Sequence, residues 1–123
     1  DASKSRGLGD VYKRQAKENN FSVFSVDVNR CLDAPGYVID NTLKGVDAAL
    51  LNSVDAIMSG AKSSVSAVGL KEGGMSVIAL DGDRLADSKC LIADYPDVVS
   101  KVREVAATII DGSLTLPDPM FAQ

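Results

Sequence analysis

The chain predicts an α/β domain, and three observations carry that expectation. Residues 21–28, FSVFSVDV, and 75–80, MSVIAL, are short runs of β-branched, aromatic and aliphatic residues, the composition of strands. Residues 41–60 and the segment from Pro96 to Gly112 repeat apolar residues at steps of three and four, the period of an amphipathic helix. Turn signals separate them: Gly60, the KEGG run at 71–74, and Gly112.

Length and composition bound the rest. At 123 residues the chain allows one domain. Apolar residues make up 46% and aromatics 5%, with no Trp, so the core is aliphatic and wholesale disorder is excluded. The net charge of −4 argues against a nucleic-acid or anionic-membrane partner. His is absent, which removes the commonest general base and the commonest zinc ligand. No apolar run reaches the length of a membrane span, and no signal peptide is visible.

Taken in order, AKENN at 16–20 reads as a helix end, with Asn19 or Asn20 suited to a left-handed cap. Residues 21–28 then form a buried strand that ends at Asp27, and NRCLDAPG follows as a loop. YVID, 37–40, is a short second strand. Asn41 or Thr42 caps the next helix, whose stripe is Val46, Leu50, Val54, Ile57 and Met58, and Gly60 ends it. SVSAVGL, 64–70, is a third strand, KEGG a turn and MSVIAL a fourth strand, so 64–80 reads as a hairpin. DGDRLADSK is a polar loop and CLIA a short extended piece. Pro96 suits the first turn of the last helix, striped by Val98, Val99, Val102, Val105, Ala106, Ile109 and Ile110. LTLPDPMFAQ is an extended tail stiffened by Pro117 and Pro119.

The opening stretch stands apart. SRGLGDVYKRQ, residues 5–15, has neither helix nor strand period. Back-translated, DVYKRQ can be written GAT-GTG-TAT-AAG-AGA-CAG, and SRGLG can be written TCT-CGT-GGG-CTC-GGA. The stretch resembles translated sequencing-adapter DNA of the transposase type. On that reading residues 1–15 are unstructured and make no consistent core contacts. Residues 16–123 are then a partial domain, the C-terminal portion of a longer protein. The other reading is a real, loosely held N-terminal tail. Without residues 1–15 the basic residues number nine and the acidic ones fifteen, for a net charge of −6.

In α/β sheets, ligands sit outside the carboxyl ends of the strands. Asp27 falls at such an end, and so does the segment from Asp40 to Lys44. An acid and an amine from adjacent strand ends would face one crevice.

The same segments carry a resemblance. Ser25-Val26-Asp27-Val28-Asn29-Arg30 is similar to a strand ending in G-V-D-x-D-Q. Asp40-Asn41-Thr42-Leu43-Lys44-Gly45-Val46-Asp47 is similar to a T-S-x-x-K-x-x-D segment. Gly69, Leu70, Gly73 and Gly74 match a G-L-x-x-G-G turn, and Ile109 to Gly112 with Leu114, Leu116 and Pro117 match a closing I-x-x-G-x-I-x-V-P. In this order and spacing, residues 21–119 resemble the basic membrane protein family. These are substrate-binding lipoproteins of ABC transporters, among them purine nucleoside receptors. The resemblance implies the C-terminal part of a type I periplasmic binding protein fold: a three-layer α/β lobe with a hairpin and a closing helix. It implies a binding function without catalysis and without a cofactor. It implies a small nucleoside-like ligand and an ABC permease as partners. It places the parent outside the cytoplasm, touching the membrane only through a lipid anchor on an N-terminal part that lies upstream.

Residue by residue, the resemblance makes Asp27 the acceptor of ribose hydroxyls, a task suited to an ionised carboxylate, which only accepts. The competing reading is a turn or cap residue at a strand end. Lys44 would help hold the ligand; otherwise it is a solvated lysine in a first helical turn, a mildly unfavourable place for a cation. Asn41 stands where the family commonly has serine, and is a third candidate contact. Asn29 and Arg30 depart from the family's acid and glutamine. Two same-fold or same-class alternatives stay open: a ligand-sensing regulatory domain, and a fragment of an α/β enzyme.

Cys31 and Cys90 are the only cysteines. Pairing across roughly 60 residues would add ~4 kcal/mol in the chain-entropy model; the alternative is two unpaired buried thiols. Asp81, Asp83 and Asp87 lack the distal bidentate acid of a calcium loop and read as a polar turn. KEGG lacks the Gly-Lys-Ser/Thr spacing of a phosphate loop. No serine has a histidine to activate it.

Overall fold

The computed structural model describes residues 8–62 and 67–117. Helix α1 spans Leu8–Asn19, followed by strand β1, Val23–Asp27, and a 3-10 turn at Cys31–Asp33. Strand β2, Val38–Lys44, leads into α2, Val46–Met58. Strand β3, Met75–Val77, runs into a second 3-10 turn at Ile78–Leu80 and the short α3, Gly82–Leu85. A third 3-10 turn, Leu91–Asp94, precedes α4, Pro96–Ile110. The fold is mixed α/β with one three-stranded sheet in the order β1-β2-β3. β1 and β2 are parallel, with Asp27 opposite Leu43, and β3 is antiparallel to β2.

The core lies on one side of the molecule. It joins Cys31, Ala34, Val38, Ile78, Ala79, Cys90, Ile92 and Val99, with Val23, Tyr37, Leu43 and Val102 packed around it. The 3-10 turns and their flanking loops supply most of it, with Val38 from the central strand and Val99 from α4. α4 begins with Pro96, buries Val99 and Ala106, and ends before Gly112 at φ 84. α2 buries none of its residues. Leu50, Leu51, Ile57 and Met58 are all more than 60% exposed, so most of the helix's large apolar side chains are uncovered, although Asn52 Nδ2 donates to the Glu72 carbonyl at 3.3 Å. Phe24 and Val26 of β1 are exposed as well.

Several elements differ from the sequence expectation, each for a physical reason. β1 is half-exposed and not buried: only Ser25 of its five residues is fully covered. β2 does not stop at Asp40 but continues to Lys44, since Thr42 and Leu43 find ladder partners in both neighbouring strands and Lys44 pairs with Met75 of β3. Asn41 and Thr42 are therefore strand residues and cap no helix. α2 starts after Gly45 with no side-chain cap. Of the expected strand at 64–70, residues 64–66 lie outside the described residues, and 67–70 are coil and turn. Among the described residues, β3 pairs with β2 and not with residues 67–70. β3 ends at Val77 because Asp40 draws the Ile78 and Ala79 amides onto its carboxylate, at 2.9 and 3.1 Å. The polar loop at 81–89 contains α3, capped by Asp81, whose carboxylate accepts from the Arg84 amide. Of CLIA, Cys90 is extended as expected, while Leu91–Ala93 open a 3-10 turn.

The expectation that residues 1–15 are unstructured is corrected for residues 8–15, which belong to α1. Lys13 is 5% exposed and Ala16 fully buried. The Lys13 ammonium lies 2.7 Å from the Asp33 carboxylate, and the Tyr12 hydroxyl is 3.2 Å from Ser25 Oγ. α1 ends as its sequence suggests, with Asn20 in the left-handed region at φ 56.

Candidate functional site

Asp27 is the last residue of β1 and Lys44 the last of β2. Parallel pairing sets both at the same end of the sheet. There the Lys44 Nζ and Asp27 Oδ1 approach to 2.6 Å, with both side chains more than half exposed. An exposed pair of this kind contributes only ~0–1 kcal/mol. A ligand that offers replacement hydrogen bonds therefore separates it at little cost.

Asp27 carries a local strain. Its φ is 77, and the Val28 amide donates to the Val26 carbonyl at 3.1 Å, closing a γ-turn of the left-handed kind. A residue with a Cβ held there costs ~1–3 kcal/mol and stays only where its surroundings over-determine it. The turn ends the strand abruptly and sends the chain into the loop at 28–31.

That loop is fastened from below. Asn41 is fully buried in β2. Its Oδ1 accepts from the Arg30 amide at 2.9 Å, and its Nδ2 donates to Cys31 Sγ at 2.9 Å and to Cys90 Sγ at 3.5 Å. Cys31 and Cys90 are joined in a disulfide. The Cys31 amide donates to Asn29 Oδ1 at 3.0 Å. Asn41, the third candidate contact, thus lies beneath the surface on which Asp27 and Lys44 meet, and its polar atoms are engaged within the protein. Asn29 and Arg30, the two departures from the family pattern, belong to the same fastening.

The second strand end also needs its glycine. The Gly45 amide donates to the Gly74 carbonyl at 2.9 Å, and a Cβ on Gly45 would collide with the Gly73 carbonyl oxygen. The turn at 69–74 therefore packs directly over the residue after Lys44.

Two acids that sequence reasoning passed over have clear duties. Asp40 is 1% exposed and accepts from the amides of Asn41, Ile78 and Ala79. Its only sequence signal is an acid inside an apolar run. Asp33 is held below the ordinary carboxylate range, first by its hydrogen bond from Lys13 and further by the charges of Lys13 and Arg30.

Chemically, the Asp27–Lys44 pair presents acceptors beside a triple donor on an open surface. An open groove of about 700 Å³ lies elsewhere, along α2, lined by Asn52, Ala56, Lys62 and Lys71 among others; Asp27 and Lys44 do not line it. Among the described residues no cluster of three His, Cys, Asp or Glu side chains could hold a metal ion. No helix among them is long and apolar enough to cross a membrane. In comparisons with family models, curated proteins and solved structures, nothing matches this chain.

Proposed function

We propose that this chain is the ligand-gripping part of a solute-binding protein that serves an ABC importer, and that its ligand is a nucleoside or similar small hydroxylated molecule. The observation that carries the reading is the Asp27–Lys44 ion pair at the carboxyl ends of two adjacent parallel strands. In α/β sheets this is the edge where ligands sit. The Asp27 carboxylate takes two hydroxyl protons of a ribose-like ring. Lys44, released from Asp27, donates to a ring or carbonyl acceptor of the same ligand.

The function is binding and closure, with no bond made or broken. On this reading a second lobe, contributed by the parent protein upstream of this chain, closes over the exposed pair. Closure shifts the population toward the state that a permease engages. The parent works outside the cytoplasm, held to the membrane by a lipid anchor.

The test is calorimetric titration of the parent polypeptide with a panel of nucleosides, beside its Asp27→Ala variant. Micromolar binding that the variant loses supports the reading and puts the hydroxyls on Asp27. Binding that survives the substitution removes the site. Silence across the panel favours a ligand-sensing domain for another solute.

A further inference from the structure

We infer that the Cys31–Cys90 disulfide, acting through Asn41, is the positioning element of the Asp27–Lys44 site, so that the site is assembled only while the bridge is oxidised. The inference rests on the ligand-binding reading above and adds its redox condition. The bridge itself touches no ligand; it acts through the turn that presents Asp27.

The argument begins with the strained residue. Asp27 sits at φ 77, where a side chain is unfavourable, and the γ-turn around it closes with one amide bond. Nothing in the turn alone keeps it there. Ladder pairing with Leu43 already levels the two strand ends; the rest of the restraint comes from the next few residues. Arg30 donates its amide to Asn41, and Cys31 is covalently tied to Cys90, 59 residues further along the chain. Cys90 precedes the 3-10 turn that packs Ile92 into the core and leads into α4. The exit loop of β1 is thus anchored to the α4 side of the molecule.

Asn41 links this anchor to the other half of the site. It lies in β2, the strand that ends in Lys44. One buried amide contacts both sulfurs and the Arg30 amide, and so sets the exit loop against the strand that carries the lysine. The bridge sulfurs serve here as fixed acceptors, at the end of a fully buried side chain.

Reduction breaks this arrangement. A dithiol passes two electrons and two protons to the bridge and becomes a disulfide itself; the Cys31–Cys90 bond is replaced by two thiols. The loop then loses its covalent tie, and the Asn41 amide loses two sulfurs held at one place. Asp27 relaxes toward ordinary backbone, away from Lys44. The fraction of molecules competent to bind falls in proportion, and the apparent Kd rises by about tenfold.

The test is NMR of the ligand-free 123-residue chain, oxidised and after dithiothreitol, followed by titration of each form with adenosine. Contacts between the Asp27 β-protons and the Lys44 ε-protons report the site, and far-UV circular dichroism reports the fold. Loss of the contacts and a roughly tenfold weaker Kd in a still-folded reduced chain, both restored by reoxidation, support the inference. A bridge that serves stability alone lowers the melting midpoint but leaves contact and Kd unchanged well below it, and that result overturns the inference. Should reduction unfold the chain, oxidised Asn41→Ser decides: loss of the Asp27–Lys44 contact with the bridge intact supports, its persistence overturns. Should adenosine not bind the oxidised chain without the second lobe of the proposed site, the contact readout alone decides the role of the bridge, and the nucleoside reading rests on the titration of the parent.

Discussion

Asp40 and Ile78 are 38 residues apart in the chain, yet the Asp40 carboxylate accepts the Ile78 amide hydrogen at 2.9 Å in the interior. With the amides of Asn41 and Ala79 it makes a three-donor cradle for one fully buried acid. That cradle ends β3 and turns the chain toward α3. Asp40→Asn keeps the shape but places an amide N–H against a backbone N–H. The expected cost is about 2–3 kcal/mol, or a fall of about ten degrees in the thermal midpoint. A midpoint unchanged by the substitution would show that water or backbone shifts satisfy the freed amides.

Gly45 is the hinge between the lysine-bearing strand and α2. Gly45→Ala forces a Cβ against the Gly73 carbonyl oxygen, and the neighbour is backbone, which yields poorly. Overpacking of this kind costs about 1–3 kcal/mol. The urea midpoint should drop by about 1 M at constant slope. Lys44 adjoins the displaced turn, so its contact with Asp27 should loosen in the same variant, as read by NMR.

The docking of α1 should depend on acid. Asp33 has a folded-state pKa lowered by Lys13, so its contribution is present at neutral pH and is lost as pH falls through the folded pKa, below about pH 4. The carboxylate is 41% exposed, which limits the effect to under about 1 kcal/mol. The methyl signal of the fully buried Ala16 should move as pH falls below the ordinary aspartate pKa of about 4 and α1 loosens. Asp33→Asn should abolish that pH step and leave the signal displaced at neutral pH.

What was legible in the sequence, and what was not, divides by range. Helix ends at Asn20, Gly60 and Gly112 are set by local backbone conformation, and all three residues have positive φ. The meeting of Asp27 and Lys44 follows from two strand ends that parallel pairing brings level. The extent of β2 was hidden, because Asn41 and Thr42 look like a helix cap until the disulfide sulfurs and β3 arrive from far along the chain. β3 read as six residues because Ile78–Leu80 have strand composition; only the distant Asp40 explains why they leave the ladder. α1 was hidden for another reason: its docking rests on Tyr12, Lys13 and Ala16 meeting partners from Ser25 to Asp33, a pattern with no periodic signature.

The apolar face of α2 sets the behaviour of the isolated chain. Leu50 is 63% exposed and Met58 82%, on a helix that buries nothing. Exposed faces of this size and composition associate. Sedimentation of the chain at rising concentration should therefore show self-association, with clean unfolding transitions confined to dilute samples. Leu50→Lys together with Met58→Lys removes two of the largest exposed side chains without touching the core cluster around Val38 and Ile78. Stability should change by no more than about 0.5 kcal/mol, the usual range for surface sites. Association should fall, and the doubly substituted chain should sediment as a monomer over a wider concentration range. An unsubstituted 123-residue chain that stays monomeric at rising concentration would refute this account of α2. Association that persists in the double variant would move its origin to the exposed Phe24 and Val26 of β1.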